Sequence, residues 1–413
     1  MTPARSWRLI LSIWLTLGVA FGLYFSFPVF YVALLEEFGW SRGMAAGAFS
    51  LSAIVQGVLS PLVGALVDRV GPRRVMLGGG VLLGVSYLLG SWITALWHLY
   101  LVTGVLAAAG ACAVGWVPCA ALLSRWFARR QGSVMGLAFS GMGVGILVLG
   151  PLAQWLITTH GWRQAYFFIG AGTIAALVPL AWFGIRDRPP TPMAPPADTE
   201  RAAVPVSAAV AESRGMDLRG ALATRAFWAL FFAYFFTPLA VFPVVTHQVA
   251  FAVDQGWPRQ FVAGIFGLTG FMSVVGRIVF GFAADRIGRA QSASLSYACT
   301  ALGTLALLSL ETWHHGASLY VYALLFGAGF GARGPIITAM ASELFPGRQF
   351  GRIYGALSLG NGIGGALGPW LGGVIFDVTG SYRTAFLLAS GFCVMGAACF
   401  WVAARPSARG APP

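Results

Sequence analysis

Apolar residues run through this chain in long unbroken stretches, separated by short clusters of arginine, aspartate, glycine and proline. Twelve stretches are predicted to be helices, over residues 8–35, 42–68, 74–95, 98–124, 131–158, 163–185, 224–251, 259–284, 290–310, 317–343, 350–376 and 382–404. Each matches or exceeds the ~20 apolar residues that a helix needs to cross a hydrocarbon core. The expected fold is therefore an all-α membrane protein with twelve transmembrane helices. The pattern breaks at 186–223, which is rich in Pro and Ala, carries scattered charge and has no apolar face. Such a stretch buries too little surface to order itself. It reads as a flexible cytoplasmic linker between an N-terminal six-helix bundle (1–185) and a C-terminal one (224–404), with 405–413 as a cytoplasmic tail.

The two halves repeat each other. Gly64 to Arg73 ends span 2 with the turn Asp68-Arg69-Val-Gly71-Pro-Arg73, and Gly281 to Arg289 ends span 8 with Asp285-Arg286-Ile-Gly288-Arg289, 217 residues later. Phe27-Pro28 matches Phe242-Pro243, Gly39-Trp40 matches Gly256-Trp257, Gly150-Pro151 matches Gly368-Pro369, and Trp162-Arg163 matches Tyr382-Arg383. Arg42 and Arg259 follow the two Gly-Trp pairs. A duplication of this kind predicts two pseudo-symmetric bundles with a binding site between them near mid-membrane.

Composition sharpens the picture. Hydrophobic residues make up 58% of the 413 and charged residues 9%, against about 25% charged in soluble chains. All 26 basic residues are arginine, and the net charge is +13. These arginines sit at helix ends rather than on one basic face, which argues against a nucleic-acid partner. With both termini inside, 20 arginines fall on the cytoplasmic side and 4 outside (Arg42, Arg163, Arg259, Arg383). That bias predicts a multi-pass protein of the cytoplasmic (inner) membrane with both termini cytoplasmic. The five cysteines lie in apolar runs and read as small buried hydrophobes, not as disulfides or metal ligands. The apolar run after Arg5 and Arg8 continues past the length of a cleavable signal and reads as the first span.

Two arginines remain inside the membrane, Arg277 in span 8 and Arg333 in span 10, while all 13 carboxylates lie in loops, the linker or helix ends. An arginine at helix centre costs about 2.5–3.5 kcal/mol on insertion scales, so it must face a partner or a wet cavity. A buried cation with no fixed anion is a candidate anion site, and the planar guanidinium suits a carboxylate. Arg277 is the first candidate; its alternative is satisfaction by helix carbonyls or by reaching the interface. Arg333 sits among Gly327, Gly329, Gly331, Gly334 and Pro335 and is either a second ligand or a tether. Tyr24, Gln56, Tyr234 and Asn361 are further hydrogen-bonding candidates for a small anion, each set against plain helix packing. Asn361 stands among glycines with few local partners. His247, after the Pro243 break, is the candidate for proton coupling because its ordinary pKa of ~6.5 lies near neutrality; an interface histidine is the alternative.

On the Asp-Arg turns and the repeat, the chain resembles the major facilitator superfamily, over nearly its whole length apart from the linker. The G-x-x-x-D-R-x-G-x-R turn after span 2 is that superfamily's signature, with a shortened second copy after span 8. The resemblance implies alternating access by rocking of two halves, a cavity lined by spans 1, 4, 7 and 10, and a cytoplasmic latch formed by Asp68, Arg69, Arg73, Asp285, Arg286 and Arg289. An arginine in span 8 resembles the monocarboxylate porter and oxalate:formate antiporter group, where it binds the substrate carboxylate. Two departures stand out. The animal monocarboxylate porters carry an aspartate one turn before that arginine, where this chain has Ser273. The oxalate carriers carry a lysine in span 11, whereas span 11 of this chain has no buried cation and Asn361 is its central polar residue.

The expected function is secondary transport of small organic anions, foremost monocarboxylates such as lactate or pyruvate, with a proton or a counter-anion as coupling partner and the lipid bilayer as surroundings. A dicarboxylate exchanger is the alternative if Arg277 and Arg333 face one cavity, and an exporter of drugs or metabolites is another. A non-transporting sensor lacks an attached signalling domain. No nucleophile–base set, metal cluster or nucleotide loop is found, so neither an enzyme nor a cofactor is expected. The chain is expected to act as a monomer.

Overall fold

The computed structural model describes residues 3–127, 131–185, 216–345 and 350–404. Twelve long helices dominate it. We number them α1 (Trp7–Phe38), α2 (Arg42–Val70), α3 (Pro72–Gly90), α4 (Leu96–Leu123), α5 (Val134–His160), α6 (Trp162–Gly184), α7 (Arg225–Asp254), α8 (Arg259–Ile287), α9 (Arg289–Glu311), α10 (Gly316–Leu344), α11 (Phe350–Thr379) and α12 (Arg383–Ala404). Among the described residues, ten of these are long and apolar enough to span a bilayer by composition alone. The other two are α3, which opens on Arg73 and Arg74, and the glycine-rich α11.

Most of 186–223 lies outside the described residues, as does 405–413. The last residues of that segment are described. Leu218–Leu222 forms a short helix whose N-terminal Gly220 amide is capped by Asp217 Oδ1 at 2.8 Å. The Asp217 side chain satisfies an amide that the first turn leaves free.

Local sequence explains the breaks. The first span bends at Ser26, two residues before Pro28, and the Leu23 carbonyl accepts from Ser26 Oγ and Tyr87 Oη, both at 2.7 Å. Each Asp-Arg turn ends on a glycine with positive φ, Gly71 at 88° and Gly288 at 94°, a conformation that a Cβ would strain. Gly115 (φ −85°, ψ −140°) interrupts α4 and sets the direction of Trp116, which follows it.

Within each half, small residues let backbones meet. A Cβ on Gly145 of α5 would overlap the Gly18 carbonyl of α1, and one on Gly276 of α8 would overlap the Ala328 carbonyl of α10. Between halves, α2 packs on α11 and α5 on α8, but only along part of their lengths. Contact runs from the arginine-poor end, where Gly373 meets Arg42 and Gly43, to Gly365 beside Ala53 and Gly143 beside Val274. Toward the Asp-Arg end, a Cβ on Gly57, Gly136, Gly281 or Gly355 would meet nothing within 4 Å.

Burial follows the same division. One apolar cluster joins the halves at the arginine-poor end, with Val29, Tyr31 and Phe49 alongside Val245, Val249 and Phe386. The C-terminal half keeps a separate cluster toward the Asp-Arg end, including Phe227, Leu230, Ile337 and Phe400. The two bundles are thus closed at the arginine-poor end and splayed at the other.

Gly145→Val should destabilise the bundle by at least the ~1–3 kcal/mol typical of overpacking, whereas Gly136→Val, on a surface free of neighbours, should be tolerated. Thermal unfolding of the two variants in detergent, followed by size exclusion, checks this contrast.

Candidate functional site

Arg277 lies where the halves part. It is on the face of α8 that carries Gly270 and Ser273, and that face packs against Ile146 of α5 one to two turns away. Ile278, Val279 and Phe282, exposed and apolar, occupy the opposite side of the helix. The guanidinium is half-buried. Its Nε donates to the Gly331 carbonyl at 3.4 Å, a weak bond, and its Cζ stands 5.9 Å from the centroid of the Trp116 ring. Trp116 belongs to the other half, so Arg277 faces across the central cleft. Among the described residues no carboxylate pairs with it.

Arg333, read from sequence as either a second ligand or a tether, is placed differently from Arg277. Two residues along a helix turn the side chain through roughly 200°. Gly331 meets Ser273 of α8, whereas Gly329 meets Ser296 and Thr300 of α9. Arg333 follows Gly329 onto that second side. It is fully buried, with Nη2 donating to Thr300 Oγ1 at 2.6 Å and to the Gly329 carbonyl at 3.2 Å, and its Cζ lies 4.3 Å from the Tyr297 centroid. Arg277 of α8 meets α10 at Gly331, whereas Arg333 leaves α10 on the opposite face, toward α9, so the two side chains do not lie together.

The other candidates divide in the same way. Tyr24 bonds Ser52 Oγ at 3.0 Å and lies beside Gln56, so these three form one polar group between α1 and α2. Tyr234 is buried in the C-terminal half, its hydroxyl 2.6 Å from that of Tyr354, which in turn meets Thr338 at 2.8 Å; it is not placed with Arg277. Asn361 is exposed, about half a turn from the apolar Leu359 and Ile363, and has no hydrogen-bond partner among the described residues.

His247 is fully buried at the closed end, away from Arg277. Its Nε2 donates to the Pro369 carbonyl at 2.9 Å, so in the neutral ring Nδ1 is the acceptor for the Tyr382 hydroxyl at 3.2 Å. That hydroxyl receives Arg42 Nη1 at 2.7 Å. Sequence reasoning missed the assembly around it. Arg42 bonds Asp254 across the halves at 2.6 Å, and Arg259 bonds Glu36 back across at 2.5 Å. Arg42 and Arg259 are repeat-related, as are the acidic segments Glu36-Glu37 and Asp254, so the duplication made two reciprocal pairs. The symmetric Gly-Trp-x-Arg positions were the available signal.

One contact in this assembly has no repeat counterpart. Asp377 of α11 caps the start of α2, accepting the Arg42 and Gly43 amides at 2.8 Å each. Arg42 also stacks on Phe376 at 3.8 Å.

At the splayed end, two arginines of the Asp-Arg turns bond within their own halves. Arg73 donates to the Trp182 carbonyl at 2.8 Å and lies over that ring, and Arg289 pairs with Glu343. Asp68, Arg69, Asp285 and Arg286 are exposed.

Two bundles that part around a cation of α8 are the architecture of a membrane carrier. The profile described as the Major Facilitator Superfamily matches residues 13–334 and 315–413, and the chain belongs to that superfamily; it is a transporter and not an enzyme. Its relatives include monocarboxylate transporter 13 of Rattus norvegicus, 31% identical over 402 residues, covering 94% of this chain and 87% of the relative. Monocarboxylate transporter 11 of Mus musculus is 31% identical over 394 residues, covering 92% and 83%. Among solved structures, a bacterial homologue of the human lysosomal transporter Spinster, inward-facing and unoccupied, aligns with a TM-score of 0.73 at 15% identity over 98% of this chain and 97% of that one. A mutant of the nucleoside transporter NupG aligns with a TM-score of 0.75 at 14% identity over 96% and 100%. At such identities these two likenesses show the fold alone.

The closed end yields a ranking. The Arg259–Glu36 pair is nearly half exposed and should contribute only about 0.2–1 kcal/mol. The Asp377 carboxylate makes two charge-assisted bonds to helix amides, a stronger class of contact at about 1.5–3 kcal/mol. Asp377→Ala should therefore open this end about tenfold more often, and Glu36→Gln should change it little. Labelling of Ser50→Cys, in a background lacking the native cysteines, by a membrane-impermeant maleimide reads the difference.

Proposed function

We propose that this protein carries small monocarboxylates across the cytoplasmic membrane by alternating access, with Arg277 holding the substrate carboxylate. The observation that carries the reading is the position of Arg277: between the halves, on the open side, with a weak carbonyl contact and no fixed anion. Such a cation is neutralised best by an anion that arrives and leaves. The curated relatives named monocarboxylate transporters support the substrate class. The separation of Arg333 from Arg277 leaves one cation facing the cleft and favours one carboxylate over two.

On the arginine bias the Asp-Arg end would face the cytoplasm, and the splayed cleft would then be an inward-facing state. Substrate would leave Arg277 toward the cytoplasm, and the ion pairs at Arg42 and Arg259 would part when the cleft opens outward. Asn361, with Tyr24 and Gln56, would supply further hydrogen bonds from the cleft walls.

His247 is the proton-coupling residue in this reading. Its neutral ring accepts from Tyr382, which receives Arg42. Protonation would remove that acceptor and set a second cation near Arg42, loosening the outer closure.

Uptake of labelled lactate and pyruvate into proteoliposomes tests the proposal. Arg277→Ala should lower uptake by at least about a hundredfold, the scale of one buried charge-assisted contact. Arg277→Lys, which keeps the charge without the fork, should recover part of it; full activity of Arg277→Ala would refute the assignment. His247→Gln should keep exchange of lactate for preloaded lactate but lose stimulation by an inward proton gradient; unchanged stimulation would remove His247 from coupling.

A further inference from the structure

Beside Arg277 lies an aromatic wall that the binding of a short acid does not use. Trp116 is 46% exposed although its ring touches helices of both halves. Phe139 of α5 meets it edge-on at 4.6 Å and 61°, and Phe21 of α1 at 6.1 Å and 87°. Phe21 stacks on Phe25 at 6.5 Å, and Phe25 meets Phe330 of α10 at 6.1 Å. The rings thus form one string from α5 through α4 and α1 to the C-terminal half. The edge contacts fix the Trp116 plane, and Gly115 fixes its direction: a Cβ there would sit 2.7 Å from the Ala111 carbonyl, so no other residue makes that break without a shift.

The separation from Arg277 is informative. At 5.9 Å from the ring centroid, the guanidinium is at the outer limit of cation–π contact, and the indole keeps nearly half of its surface exposed. A carboxylate on Arg277 brings its own substituent to that surface. A methyl group, as in lactate, covers little of it, while an aryl ring reaches the spacing of about 4.5–7 Å that favours stacked or edge contacts.

We infer that the cleft is built for arylalkyl monocarboxylates and that Trp116 is the residue that selects them over short-chain acids. This inference rests on the assignment of the carboxylate to Arg277. The ring of the substrate lies against Trp116, and Phe21 and Phe139 support the indole. No bond is made or broken; selection comes from apolar area removed from water at a preformed aromatic surface.

Lactate and 3-phenyllactate form the matched pair for a test, since they differ by one ring. The full chain in proteoliposomes should take up phenyllactate with a KM about tenfold below that of lactate, the scale of one aromatic contact with its buried area. Trp116→Ala should raise the phenyllactate KM by about tenfold and move that of lactate by less than about twofold, and Trp116→Phe should keep most of the preference. Thermal stabilisation of the purified chain in detergent by each acid reads the same preference without transport and shows that each variant is folded. A wild type that favours lactate, or a Trp116→Ala variant that weakens both acids equally, overturns the selection by Trp116. Arg277→Ala, run alongside, separates the two failures. Loss of both acids there keeps the carboxylate assignment whatever Trp116 does, and retention of both defeats the assignment itself.

Discussion

A guanidinium at mid-helix depth, without a carboxylate beside it, is the constraint on which the rest of this architecture turns. Left in hydrocarbon it is costly; beside a permanent anion it would be inert. The structure supplies neither. It places Arg277 where the two bundles part, so that water reaches it from one side and low-dielectric aromatic walls flank it on the other. In that setting an arriving carboxylate meets a stronger field than it would at a protein surface.

Holding the cation at that point requires the bundles to be joined at one end and free at the other. The joint is made from modest parts. Two reciprocal ion pairs, each partly solvated, contribute little alone; the cap of Asp377 on the first amides of α2 and the stacking of Arg42 on Phe376 add directionality. These polar contacts lie beside the apolar cluster that joins the halves at the same end. The glycine-lined seams α2–α11 and α5–α8 allow the rest, because backbones that meet without side chains can pivot with little repacking. His247 sits under this joint, tied to it through Tyr382.

Arg333 shows how a buried cation can be structural. Its guanidinium lies over Tyr297 and bonds Thr300 inside one half, where it ties α9 to α10. By composition alone Arg277 and Arg333 are equivalent: each is an arginine in an apolar helix among small residues. Helical phase separates them, because a position two residues from Gly331 faces the opposite way.

Much of this was legible in the order of residues. Apolar runs longer than a bilayer is thick, six repeat anchors and the Asp-Arg turns specify twelve helices in two like bundles, since each helix satisfies its own backbone and needs only local sequence to form. The presence of an uncompensated arginine in span 8 was equally plain. What only tertiary structure decided was facing and pairing: that Arg277 looks at Trp116, that Arg333 and Tyr234 turn inward, that Arg42 and Arg259 exchange acidic partners across the halves, and that His247 belongs to the gate. Those outcomes depend on rotations and contacts between helices far apart in the chain. A helical period leaves such phases open until packing against a neighbour chooses one.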